Sequence, residues 1–179
     1  GADTARWFML SDSPPERDVQ WSDEGVQGAW RFIQRVWRLV NEAAEVISGA
    51  GNDGDAKPGE AAEALRRAAH RSLHAVAEEI EGLRFNRAVA TIYEFANTIS
   101  ATLQNKKAMG EPGIRPALRE ALHFLIHAIN PMMPHLAEEC WARLGYHRLL
   151  ANEPWPEVDR GVLVDDTVTI AVQGNGKRR

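Results

Sequence analysis

This sequence predicts a mainly α protein, an antiparallel helical bundle that ends in a short β segment. Three observations carry that expectation. Apolar residues recur at helical spacing through four long stretches, proline and glycine clusters separate those stretches, and alternating β-branched residues occur only near the C-terminus.

The first ten residues, Gly1 to Leu10, predict a short helix with Asp3 near its start and Trp7, Phe8 and Leu10 as anchors. Ser13-Pro14-Pro15 ends it, because proline donates no amide and pushes its predecessor out of helical space. Ser22 is a suitable N-cap, with Asp23 and Glu24 placed where the helix dipole favours negative charge. From there a helix runs to about Ser48. Its expected core stripe is Trp30, Ile33, Trp37, Val40, Ala44 and Ile47, widened by Phe32, Val36 and Leu39. Trp37, in mid-stripe, is expected to be core. Gly49 to Gly59 reads as a linker rich in glycine and acid.

A third helix follows Pro58, which suits a first turn, and buries Leu65, Ala69, Leu73, Val76, Ile80 and Leu83. A fourth covers Phe85 to about Leu103, with Ala88, Ile92, Phe95, Ile99 and Leu103 inward. After Pro112-Gly113 a fifth, from about Arg115, carries Leu118, Leu122, Leu125 and Ile129 on one line. A sixth runs from about His135 to Leu144. Val162-Leu163-Val164 and Val168 to Val172 read as strands. Residues 1–150 are thus a helical domain, and 151–179 a connector with the first strands of a further domain.

The chain has 179 residues, 44% of them hydrophobic and 26% charged, enough for a packed core without staples. Its single cysteine, Cys140, excludes an internal disulfide framework and fits a reducing compartment. No apolar run approaches a membrane span, and no signal-peptide layout opens the chain. A net charge of −4 disfavours a uniformly basic coat but leaves room for a local basic face. The opening glycine, with no methionine, is what an excised piece of a longer protein would show.

Gly49-Ala50-Gly51-Asn52-Asp53-Gly54 matches the letters of a dinucleotide fingerprint, but a long helix precedes it where a strand is needed, and Asp53 and Asp55 would repel phosphate. His123 and His127 stand at i and i+4, as zinc ligands can, and Glu120 forms a Glu-x-x-His pair with His123. A di-iron bundle needs a second such pair and two more glutamates, and the chain has no second pair. No nucleophile elbow or phosphate loop is present, so no catalytic residue and no metal ligand is assigned. The third helix is different. Between Ala64 and Ala77 it carries Arg66, Arg67 and Arg71 with His70 and His74 and no acid, within an arc of about 140° opposite the apolar stripe. Lys57 precedes it and Arg84 follows. Guanidinium forks in such an array match phosphate oxygens, although a solvated face would look the same.

Several stretches together resemble the leucyl branch of the class I aminoacyl-tRNA synthetases. Gly1-Ala2-Asp3 with Arg6 is similar to the segment after the KMSKS loop, and Ser13-Pro14-Pro15-Glu16-Arg17-Asp18-Val19-Gln20-Trp21 to the loop that follows. Arg31-Phe32, Val36-Trp37-Arg38-Leu39 and Arg84-Phe85-Asn86 continue the likeness. Asn130-Pro131 with Pro134-His135-Leu136-Ala137-Glu138-Glu139 and Trp141 resembles the last-helix signature of the class, and Trp155-Pro156 with Val168-Thr169-Ile170 the entry into the C-terminal domain.

The resemblance implies an anticodon-binding-type helical domain of a cytoplasmic ligase that joins leucine to its tRNA. ATP and Mg²⁺ would act in a catalytic domain of the same polypeptide, absent from this sequence, so no cofactor is expected here. It also implies contacts mainly to phosphate and sugar, which makes Arg66, Arg67 and Arg71, flanked by Lys57 and Arg84, the expected tRNA-binding residues. A metal-dependent bundle enzyme built on Glu120, His123 and His127, or a protein-interaction bundle, are the readings from other classes.

Overall fold

The structure is a computed structural model that describes residues 1–11, 13–49, 57–163, 173–174 and 177–178. Helices α1 (Ala2–Ser11), α2 (Asp23–Ser48), α3 (Glu60–Glu81), α4 (Phe85–Gln104), α5 (Lys106–Met109), α6 (Ile114–Ile129) and α7 (Pro134–Arg143) form the bundle. A 3₁₀ turn at Leu150–Asn152 and a helical turn, α8 (Arg160–Leu163), follow.

The helix boundaries obey the chain's own punctuation. Ser22 caps α2, its hydroxyl accepting from the Gly25 amide at 3.2 Å. Gly59 opens α3, where the Glu111 carboxylate takes the Ala61 amide at 2.7 Å and stands in for a side-chain cap. Gly113, at φ 76°, opens α6 in the left-handed region that glycine enters without strain. Asn105 caps α5, a single turn that periodicity could not reveal.

α6 is the central helix. Leu118, Leu122, Leu125 and Ile129 are each fully buried, as expected, and α6 lies against α2, α3, α4 and α7. Leu65, Ala69, Leu73 and Val76 of α3, and Ala88, Ile92, Phe95 and Ile99 of α4, close over it. α1 contributes Trp7, which stacks on Phe32 with centroids 4.9 Å apart and donates its indole N–H to the Tyr93 hydroxyl at 3.1 Å.

Three expectations are corrected. α2 buries Phe32, Val36, Leu39, Val40 and Ala44 as expected, and Ala29 and Ala43 besides, whereas Trp30 and Trp37 are 48% and 38% exposed, so Trp37 is not core. At about 100° per residue the centre of the buried line is turned by about 110° from the line of the two tryptophans. Leu83 is exposed, because the chain leaves α3 at Gly82 and Leu83 takes a positive φ of 56° before α4. Arg160–Leu163 is helical, where the sequence predicts Val162 and Leu163 in a strand. The Asp159 carboxylate accepts from the Gly161 amide at 2.9 Å and starts that turn. The expected strand Val168 to Val172 and most of the acidic glycine linker lie outside the described residues. Gln173–Gly174 and Lys177–Arg178 pair antiparallel over two residues each.

Candidate nucleic-acid interface

α3 owes its cationic outer face to α6. Leu65, Ala69, Leu73 and Val76 face the core, which turns Arg66, Arg67, Arg71 and His74 outward, all four exposed. The three arginines sit within about 8 Å of helix rise. Lys57 and Arg84, also exposed, stand beyond opposite ends of a 22-residue helix, so they are separated by roughly 33 Å of rise and flank no single patch.

The array is less free than the sequence suggests. Arg66 donates from Nε to Glu120 at 3.0 Å and from Nη2 to Asp159 at 3.3 Å. Arg84 is held on the Glu79 carboxylate and reaches the Glu78 carbonyl at 3.3 Å. Arg71 is exposed but engaged. Arg67 and Lys57 have no ionic or hydrogen-bonded partner among the described residues.

His70 leaves the cationic array altogether. It is 2% exposed and lies edge-on to Phe124. Its Nδ1 accepts the Asp159 amide at 3.1 Å, so the ring proton is on Nε2, which meets Glu120 at 3.2 Å. Arg66, Glu120, His70 and Asp159 thereby close a ring that ties the connector down on α3 and α6. Sequence reading missed this ring because its carboxylates come from positions 50 and more residues away.

The other titratable cluster does not converge on a metal. Glu120 faces α3, while His123 and His127 turn toward Trp141, Tyr146 and Trp155. His127 donates from Nδ1 to the His123 carbonyl at 2.9 Å, and His123 Nδ1 lies 3.3 Å from the Tyr146 hydroxyl. Burial first, and the neighbouring His127 second, lower the His123 pKa to about 4. Burial likewise lowers that of His127, against the raising effects of its hydrogen bond to His123 and of Glu153. Both rings serve as packing surfaces. Burial pushes the Cys140 thiol up to about 12, which leaves no thiolate for nucleophilic chemistry.

The described residues form a helical bundle with an outward arginine row on one long helix. The chain belongs to the family of anticodon-binding domains of tRNA ligases, whose family model matches residues 62–179. Over its whole length it is similar to leucine–tRNA ligases. That of Parvibaculum lavamentivorans is 55% identical over 179 residues, and that of Nitrobacter hamburgensis is 55% identical over 182. The chain spans 20% and 21% of those two proteins, about a fifth of their length. Among solved structures, the ternary complex of Agrobacterium radiobacter LeuRS with tRNA and LeuAMS matches the whole chain with a TM-score of 0.81 at 26% identity, over 23% of that LeuRS chain. No helix among the described residues is long and apolar enough to cross a membrane.

Proposed function

We propose that this chain is the tRNA-binding helical domain of a cytoplasmic leucine–tRNA ligase, and that it grips the tRNA backbone rather than reading bases. Likeness to leucine–tRNA ligases from the first residue to the last is the observation that carries this reading. In that enzyme ATP and Mg²⁺ belong to the catalytic domain, where leucine is activated, and this domain contributes position. The backbone grip is assigned to Arg66, Arg67 and Arg71, with Lys57 and Arg84 as outlying contacts. Arg67 meets phosphate unopposed. Arg66 must exchange Asp159 for a phosphate oxygen, at little cost because both groups are about half exposed.

Changing Arg66, Arg67 and Arg71 together to glutamine removes the charge that would neutralise up to three phosphates. The plot of log affinity against log salt for tRNA should become shallower by about 0.7 to 0.9 for each phosphate no longer neutralised, since fewer counterions are released. Binding across a salt series, with circular dichroism to show that both proteins are folded, measures it. Equal slopes and equal affinities would move the grip to Arg31, Arg35 and Arg38 on α2.

The chain alone should also give no leucine-dependent pyrophosphate exchange and no aminoacylation. Exchange above a no-protein control, in a preparation free of host ligase, would contradict the division of labour.

A further inference from the structure

A carboxylate from the connector already stands on the α3 row. Asp159 Oδ2 lies 3.3 Å from Arg66 Nη2 and Glu120 Oε2 lies 3.0 Å from Arg66 Nε, so one guanidinium carries two anions. The two are held differently. Glu120 also meets the buried His70 through its other oxygen at 3.2 Å, and its departure would orphan that ring N–H. It is also the less exposed of the pair, at 30% against 47% for Asp159. Asp159 keeps its other contacts when Oδ2 lets go. Its Oδ1 accepts the Gly161 amide at 2.9 Å, and its own amide donates to His70 Nδ1 at 3.1 Å. The main chain is therefore pinned beside Arg66 whether or not the side chain is on it. As a strap the ion pair adds little, because both partners are about half exposed and the bond to His70 already fixes the chain.

We propose that Asp159 is a built-in competitor of the RNA backbone, its carboxylate occupying Arg66 in the free protein until a polyanion displaces it. This selectivity rests on the tRNA-binding reading of α3 and deepens it. A carboxylate tethered by its own main chain faces Arg66 at an effective concentration of roughly millimolar or more, so a dissolved anion displaces it poorly. A stretch of RNA backbone is different. It also reaches Arg67, which has no ionic or hydrogen-bonded partner among the described residues, and its second contact makes the first one intramolecular. Carboxylate and phosphate both fit the guanidinium fork, so the exchange leaves no donor unpaired. Arg66 is thereby open to a backbone and largely closed to single anions.

A double-mutant cycle in the 179-residue chain tests this, with a leucine tRNA transcript titrated at low salt. The four proteins are the parent, Asp159→Asn, Arg66→Gln and the double variant, each checked for folding by circular dichroism. Asparagine keeps an oxygen for the Gly161 amide and removes the charge. Asp159→Asn should tighten tRNA about two- to five-fold where Arg66 is present, the size of one exposed ion pair, and by much less in the Arg66→Gln background. Replacing chloride by inorganic phosphate at constant ionic strength should weaken tRNA binding by Asp159→Asn more than binding by the parent. Tightening of the same size in both backgrounds would overturn the proposal, because Asp159 would then repel RNA only as a general negative charge. No tightening, or an equal response of parent and Asp159→Asn to phosphate, would overturn it too. Any of these results leaves the RNA reading in place if Arg66→Gln still weakens binding in the Asp159→Asn background. An affinity indifferent to Arg66 in both backgrounds, or no binding by any of the four, would remove this proposal. The salt slope of the triple arginine variant would then decide separately for the α3 row.

Discussion

Replacing Trp7 by alanine should destabilise the bundle by about 3–5 kcal/mol, the range for deleting a large buried aromatic side chain. Trp7 is fully buried, stacks on Phe32 and is tilted against Tyr93 with centroids 5.6 Å apart. It is the main wedge between α1, α2 and α4, and the cavity it leaves is bordered by two rings that cannot close over it without shifting helices. The substitution also leaves the Tyr93 hydroxyl without its indole partner. Urea denaturation compares Trp7→Ala with Trp37→Ala. Trp37 is 38% exposed on the outer side of α2, so its removal should cost well under half as much. Comparable destabilisation at the two positions would contradict the placement of α2.

That contrast shows where periodicity is a sound guide and where it is not. The line through Ala88 to Ile99 of α4 is legible because that helix carries one apolar stripe, and the line through Leu118 to Ile129 of α6 because α6 is central and its neighbours cover nearly every apolar side chain it has, whatever the phase. α2 carries apolar side chains around more than half its circumference. Its phase then depends on which of them the rest of the fold covers, and the two largest, Trp30 and Trp37, draw the expected stripe toward themselves. Phe32 is buried instead because Trp7 and Tyr93 arrive from α1 and α4, and no property of α2 alone encodes that.

The candidate interface divides in the same way. An acid-free row of arginines on α3 is a local pattern, so their shared outward face can be read from spacing alone. Burial of His70 and the pairing of Arg66 with Glu120 and Asp159 are long-range facts, set by how α6 and the connector pack on α3. Lys57 and Arg84 are near the row in sequence only. The length of α3 separates them.

The protein should lose stability on acidification through His123, in a window fixed by its two pKa values. The unfolded histidine titrates at the ordinary 6.5 and the folded one at about 4, because burial among Trp141, Tyr146, Phe124 and His127 disfavours the imidazolium. Between those values the unfolded chain binds the extra proton. Stability is therefore full above pH 6.5, falls as the pH drops toward 4, and takes no further loss from this group below that. One proton corresponds to a slope of about 1.4 kcal/mol per pH unit, for a total on the order of 3 kcal/mol at most, which solvent reaching the partly exposed ring reduces. His127, also shifted down, adds loss of the same sign, with Glu153 opposing it. The control is His123→Phe, which keeps an aromatic ring beside Trp141 and removes the titration. Removing the hydrogen bond to Tyr146 offsets the variant's stability by a similar amount at every pH, whereas removing the titration changes the slope. Urea unfolding from about pH 7 to about 4.5 should give a shallower decline for His123→Phe than for the parent, and parallel profiles would show that His123 carries no proton-linked stability.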